Sequence, residues 1–438
     1  MSRNMRVNEP PSPALRIVEI ISRLILGGLF IFSGLVKSID PIGSAIKIGE
    51  YLAAFGMSLP ESWHLYLSGG LCIFETVLGF AMLSGIFRRI TVWVMWITML
   101  GMTALTFYIM LANPVADCGC FGDALKISNT ATFVKNVVFL ILATFLFLNR
   151  YKLSTFLPVR THALQLFIAV VLSGWFVVHS IRYLPPIDFR PYSVGTSIAE
   201  GRHNASGEEV APDSYRYVYA KDGEERTFTI DELSGIDSTW TYVRHEVPEQ
   251  EFVPSASVAD FQIFNAKGEN ITDSILAPQS KFALVMTHNI NEINLEHSIG
   301  DHLRMLNDLV RNAGGSVRIV VANSVDPRAD QQLSKLSLLV PIDHMDTNTI
   351  QTVVRSNPGV VLINGGTIVR KSSPEGVHAL LKDSHFTANP FSLPTQQEQT
   401  LRQLKAFAPL ILGAICFVIA VIYYHTGSRG RQTRSYYR

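Results

Sequence analysis

The sequence predicts a membrane-embedded α-helical bundle joined to one soluble α/β domain. Three observations predict it. Of 438 residues, 48% are hydrophobic and 17% charged, where an ordinary soluble domain carries about 25% charge. The apolar residues fall in blocks of membrane length, and the stretch between the last two blocks has globular composition. The formal net charge of +1 gives no electrostatic reason to expect nucleic acid as a partner. The four cysteines, Cys72, Cys118, Cys120 and Cys416, all lie outside the soluble stretch, which excludes a disulfide-stapled module there.

A spanning helix needs about 20 mostly apolar residues, because the hydrocarbon core is about 30 Å thick and a helix rises about 1.5 Å per residue. Six segments satisfy this: Leu15–Lys37, Leu65–Ile86, Ile90–Ala112, Thr132–Leu148, Ala163–Ile181 and Ala406–Tyr424. The fourth has Lys135 and Asn136 in its first turn, with Lys135 placed to snorkel to the interface. The first follows a short basic tail without a small-residue cleavage site, so it reads as a retained helix. Its Glu19 and Arg23 are spaced i, i+4 and read as a snorkelling ion pair.

Lys and Arg in short loops stay on the cytoplasmic side. Arg3, Arg6 and Arg16 accompany the start of the first span, Arg88 and Arg89 separate the second and third, and Arg150, Lys152 and Arg160 separate the fourth and fifth. Arg429, Arg431, Arg434 and Arg438 follow the sixth, and the alternate loops hold only Lys47 and Lys126. The predicted topology puts both termini in the cytoplasm and the stretch from about Arg182 to Leu404 on the outer side of the membrane.

Within that stretch, Pro185, Pro186 and Pro191 mark the exit from the membrane. Tyr215–Val243 alternates apolar and polar residues with turn signals at Asp222-Gly223 and Ser234-Gly235, which predicts a small β-rich segment. From Asp260 the pattern becomes strand (Phe282–Met286), helix (Leu295–Val310, ending at Gly314-Gly315), strand (Val317–Ala322), helix (Ala329–Leu339), then a hairpin of Val360–Ile363 and Thr367–Arg370 turning on Asn364-Gly365-Gly366. Pro390–Thr400 reads as a linker. The predicted organisation is a four-helix membrane domain over 1–150, a fifth helix over 151–184, the β-rich segment over 185–250, the α/β domain over 251–390, and linker, sixth helix and basic tail over 391–438.

Asp117-Cys118-Gly119-Cys120-Phe121-Gly122-Asp123 follows the third span. Thiols on the oxidising side of a membrane tend to pair, and a ring closed by Cys-x-Cys is small enough to be readily reduced. The pair therefore reads either as a redox-active dithiol or as a structural pair beside a glycine turn. Two thiolates are half a usual zinc set and no His lies in the loop, so no metal is assigned. Glu75 stands near the middle of the second span, where an ionisable group marks function by default. It reads as a proton-handling group or as the partner of a cation such as Arg23, Lys37 or Lys135. Cys72, three residues earlier on the same face, reads as a step in a thiol pathway or as a packing residue. Cys416 reads as packing. His288, His297, Asp301 and His302 read as a solvated helix face.

Ser33-Gly34-Leu35-Val36-Lys37 with Asp40-Pro41, Glu50-Tyr51-Leu52 and Glu75 together resemble the DoxX-type membrane family. Cys118-Gly119-Cys120-Phe121-Gly122 resembles the related methylamine-utilisation MauE family, and the match covers roughly residues 14–150. The whole layout, with two further spans and an added domain, resembles a DoxX form of Bacteroidetes-type bacteria. The segment from Asp260 to about Leu381 resembles a thioredoxin fold. Asn357-Pro358-Gly359-Val360 stands as its cis-proline strand, which predicts a cis peptide at Asn357–Pro358, while Thr287-His288-Asn289-Ile290-Asn291-Glu292 replaces its Cys-x-x-Cys.

These resemblances imply a role near thiol or quinone redox. The expected function is a membrane accessory protein for periplasmic thiol-disulfide or quinone-linked maturation, with Cys118 and Cys120 as the pair, Glu75 and Cys72 in support, and a membrane quinone as the cofactor. Its expected partners are the lipid bilayer and a periplasmic client or a subunit of a membrane complex, the cysteine-free domain docking the client. The alternatives are a non-enzymatic scaffold with a structural cysteine pair and a small-solute transporter.

Overall fold

The computed structural model of the protein describes residues 13–57, 59–115, 118–125, 127–151, 153, 155–207, 216–221, 224–228, 241–246, 258–290, 297–322 and 340–435. It forms two compact units, one of Met1–Phe189 with Thr395–Arg438 and one of Arg190–Pro394.

The first unit contains α1 (Pro13–Ile39), α2 (Pro41–Ala54), α3 (Glu61–Ser84), α4 (Arg88–Ala112), α5 (Asn129–Leu148), α6 (His162–Tyr183) and a C-terminal helix, Gln396–Ser435. Among the described residues, five stretches are long and apolar enough to cross a membrane: Ser62–Ser84, Arg88–Ala112, Asn129–Leu148, Val159–Tyr183 and Gln396–His425. The chain is a multi-pass membrane protein. The sequence predicts six spans, and the first of them forms α1, which is 27 residues long but is not among these five. It buries three charged side chains, Glu19, Arg23 and Lys37.

That burial corrects the snorkelling assignment. Arg23 does pair with Glu19 at 3.2 Å, but its Nε donates to the Met82 carbonyl at 3.0 Å and its Nη2 to the Leu83 carbonyl at 2.9 Å. The guanidinium therefore ties α1 to the last turn of α3. Those two helices run close because glycines line their seam. A Cβ on Gly34 would stand 2.4 Å from Thr76 Oγ1, and one on Gly79 would stand 2.6 Å from both the Gly27 carbonyl oxygen and the Ile31 nitrogen. Leu26 and Phe30 of α1 then pack with Leu78 and Met82 of α3, Met95 and Met99 of α4 and Leu146 of α5.

Two elements go beyond the sequence expectations. Helix α2 is capped by Asp40, whose carboxylate accepts from the Gly43 amide at 2.9 Å, with Pro41 at the first helical position. The C-terminal helix takes in the last five residues of the expected linker, starting at Gln396 because Thr395 and Glu398 form a capping box. The Glu398 amide donates to Thr395 Oγ1 and the Thr395 amide to Glu398 Oε2, each at 3.2 Å. Cys416, expected in packing, is exposed on this helix.

In the second unit α7 (Ile198–Gly207) precedes β1 (Arg216–Lys221), β2 (Glu224–Phe228) and β3 (Thr241–Glu246), an antiparallel sheet in the order β2-β1-β3. This is the β-rich segment the alternation predicts. The chain continues through β4 (Phe264–Asn265), α8 (Thr272–Ile275), β5 (Lys281–Thr287), α9 (His297–Asn312), β6 (Ser316–Ala322), β7 (Ile342–Met345), α10 (Thr347–Val353), β8 (Gly359–Asn364), β9 (Thr367–Ser372), α11 (Pro374–Leu381) and α12 (Ser384–Ala388). The predicted helix Ala329–Leu339 lies outside the described residues, as do the two predicted turns of the β-rich segment.

The six strands from β4 onward form one mixed sheet, ordered β4-β7-β6-β5-β8-β9. Strand β5 runs parallel to β6 and antiparallel to β8, and its last five residues are all buried, as expected of a strand covered on both faces. Helix α9 lays Leu303, Leu306 and Val310 against the sheet, with Phe386 and Phe391 completing the core. Gly365 and Gly366 turn β8 into β9 with φ of 56° and 76°, which glycine adopts without strain. The free side of β9 is covered by its own chain: the Gly195 amide donates to the Ile368 carbonyl and the Ile368 amide to the Thr196 carbonyl. The Asn357–Pro358 peptide is cis, as the sequence predicts.

Candidate functional site

The loop between α4 and α5 is shaped by its glycines. Gly119 has φ of 63° and Gly122 of 53°, the left-handed region that other residues enter at a cost of about 1–2 kcal/mol. The Gly122 amide closes a turn on the Gly119 carbonyl at 3.1 Å, and Ser128 caps α5 by accepting from the Ala131 amide at 3.3 Å. Two hydroxyls from other helices hold the loop. Tyr51 of α2 donates to the Cys118 carbonyl at 2.7 Å, and Ser33 of α1 lies 2.7 Å from the Cys120 carbonyl oxygen. Phe121 is buried against Phe32, with the Lys135 ammonium 4.4 Å from its ring centroid. Lys135, expected to snorkel, thus reaches the cysteine loop.

Cys118 and Cys120 are free thiols within hydrogen-bonding reach of each other. The Cys120 thiol donating to Cys118 pulls that thiol down to about 7 against the opposing effect of burial, with the Lys135 and Lys37 ammonium groups assisting. Cys120, the donor, is pushed up. Of the two thiols Cys118 is thus the one that ionises first, with Cys120 keeping its proton.

Glu75 on α3 is buried and paired with Lys37 of α1, neither with Arg23 nor with Lys135. The ammonium lies 2.7 Å from Oε1 and 2.8 Å from Oε2. Lys37 also donates to Ser33 Oγ at 3.0 Å, and Ser33 Oγ stands 2.8 Å from Glu75 Oε2. A continuous polar chain therefore runs from Lys37 and Glu75 through Ser33 to the peptide of Cys120. These groups share a cavity of about 60 Å³, walled by Ser33, Lys37, Glu75, Cys120, Lys135 and Asn136 among apolar side chains of α1, α3 and α4. Apolar walls with a few convergent polar groups have the character of a ligand pocket.

The structure thus brings Cys118, Cys120 and Glu75 together. Cys72 is buried one turn from Glu75, beside the hydroxyls of Ser38 and Ser68, and does not line the cavity. Sequence reasoning did not single out Ser33 and Tyr51 as site residues, although both stand inside the motif stretches that carry the family resemblance.

In the second unit, the loop after β5 carries no thiol. Asn357 Oδ1 instead accepts from Thr287 Oγ1 at 2.6 Å and from the His288 amide at 3.2 Å, while its Nδ2 donates to the Asn289 carbonyl at 2.6 Å. Of the expected solvated face, His302 meets His378 of α11, Nε2 to Nδ1 at 2.8 Å, and the His297 side chain lies outside the described residues. Among the described residues, no three His, Cys, Asp or Glu side chains gather as a metal site.

Residues 15–149 match the family model described as Methylamine utilisation protein MauE, and residues 214–247 match DUF8463, a domain of unknown function. The first match falls on the stretch whose motifs resemble that family and bears the expectation out. No curated protein and no solved structure matches the chain.

Proposed function

Taking the match of residues 15–149 to that membrane family as premise, we propose that this chain is a membrane accessory protein for thiol-disulfide maturation of a periplasmic client, with Cys118 and Cys120 as the exchanging pair. The observation that carries the reading is the asymmetry of the dithiol, one thiol lowered to about 7 by its neighbour in a loop pinned by Ser33 and Tyr51. In the oxidised form the pair would accept two electrons and two protons from a client dithiol, leaving a client disulfide and two thiols. Cys120, Lys135 and Asn136 are the cavity residues that would face a membrane quinone, which would supply an acceptor for two electrons and two protons. The periplasmic placement of the loop and of the Arg190–Pro394 unit, and the cytoplasmic placement of both termini, belong to this proposal and rest on the Lys and Arg distribution.

The second unit would recognise the client. A thioredoxin-like reading is supported by the helix-linked parallel pair β5 and β6, the hairpin of β8 and β9 and the cis proline facing the strand-to-helix loop. With Thr287, His288 and Asn289 at that loop, it has no thiol to exchange. The transport reading started from a lone carboxylate in the bundle, and the Lys37 pair accounts for Glu75.

Trapping tests the proposal. A Cys120→Ser variant in cells should accumulate a mixed disulfide between Cys118 and a client, identified by mass spectrometry. A wild-type pair that stays permanently reduced, or full function in the Cys118→Ser/Cys120→Ser double variant, overturns the proposal in favour of a scaffold.

A further inference from the structure

Ser33 Oγ carries one hydrogen and has two acceptors at nearly equal distance, Glu75 Oε2 at 2.8 Å and the Cys120 carbonyl oxygen at 2.7 Å. It also accepts from Lys37 at 3.0 Å, and that contact with the two to Glu75 uses all three hydrogens of the ammonium. The Ser33 hydrogen therefore cannot serve both acceptors at full strength. An ionised carboxylate is the stronger acceptor. A protonated carboxyl becomes a donor to Ser33 and releases the serine hydrogen to the peptide oxygen. We propose that Ser33 is a positioning residue that passes the protonation state of Glu75 to the cysteine loop: its hydrogen goes to Glu75 when the carboxylate is ionised and to the Cys120 carbonyl when it is protonated.

The groups that face this carboxyl are few. Lys37 and Ser33 face it from α1, Lys135 and Asn136 from α5, Thr98 from α4 and Cys120 from the loop, with Cys72 one turn away on α3 itself. From α2 and α6, which also pack on α3, no charged side chain among the described residues lines the cavity. Both ammonium groups at the cavity also act on the Cys118 thiol, so the carboxyl and the dithiol share one set of charges. The serine link adds a directional connection between them, because pinning the Cys120 peptide sets how its thiol points at Cys118.

The purpose assigned to this link rests on the proposed thiol exchange, in which protons enter and leave beside Cys120. The link itself is testable without a client. The full chain, reduced and reconstituted in lipid nanodiscs, is alkylated with iodoacetamide across pH, and the rate at Cys118 is read by mass spectrometry. The wild type should show two inflections, the thiol's own and a second that depends on the Ser33 link. Ser33→Ala and Glu75→Gln should each show one inflection, and Ser33→Thr should recover two. A Ser33→Ala profile that keeps both inflections, or a wild-type profile with one, overturns the proposal. Thermal melts of all variants identify any that fail to fold, and Ser33→Thr supplies the comparison if Ser33→Ala does. Failure to trap a client would sink the thiol-exchange reading and leave this profile unchanged, so the two failures are distinguishable.

Discussion

The largest influence lowering the Cys118 thiol is its neighbour Cys120, and removing that neighbour should be visible in its titration. Its alkylation should be half-maximal near pH 7, and Cys120→Ala, which takes away the donating thiol, should move the midpoint toward the ordinary 9. At pH 7 the thiolate fraction then falls roughly 50-fold, a loss that stopped-flow labelling measures directly; an unchanged midpoint would reject the hydrogen-bonded pair. The sign follows from acid chemistry: a lowered thiol pKa means thiolate persists to lower pH. How much of the site was legible depends on the residue type. Cys118, Cys120 and Glu75 stood out because thiols are rare in this chain and a carboxylate is rare in an apolar run. Ser33 and Tyr51 carry no such mark, since a serine or tyrosine in a helix usually spends its hydroxyl locally or at an interface. Their roles exist only because folding places α1 and α2 beside a loop more than 60 residues away.

At the scale of elements, hydropathy found the helices whose apolar length exceeds the bilayer core, and it passed over α2, which has 14 residues. Its Asp40-Pro41 start and the Thr395 to Glu398 box were present in the sequence as capping chemistry, without an apolar run long enough to draw notice. The α1–α3 seam was hidden in a different way, because a glycine in an apolar helix looks alike whether or not a neighbouring backbone touches it. Gly34→Ala should lower stability by about 1–3 kcal/mol, the range for overpacking, and should loosen the Lys37–Glu75 pair. Gly70→Ala on the same α3 helix, where an added Cβ meets nothing within 4 Å, should be neutral. Thermal unfolding in detergent compares the two, and equal effects would dismiss the seam as a determinant. The sheet order β4-β7-β6-β5-β8-β9 was legible only in part, because alternation and apolar runs locate strands while the pairing of β7 between β4 and β6 is a long-range fact.

For the whole molecule, the division into a helical unit and a sheet unit was readable from composition, since a membrane and a globular core demand different residues over long stretches. The proposed topology follows from loop charge. An alkaline phosphatase fused within the Arg190–Pro394 unit should be active, and a fluorescent protein fused after Arg438 should fluoresce in bacterial cells; the opposite pair of results reverses the orientation. The charges buried along α1 carry a consequence for biogenesis. A Lys or Arg within a spanning helix opposes insertion, by up to about 2.5–3.5 kcal/mol at the helix centre, and α1 carries Arg23 and Lys37, whose acceptors include Met82, Leu83 and Glu75 on α3. As it leaves the ribosome, α1 has none of these partners, so its residence in lipid stays provisional until α3 is made. Made before α3, α1 must wait for it, and in this part of the bundle folding proceeds through a pair.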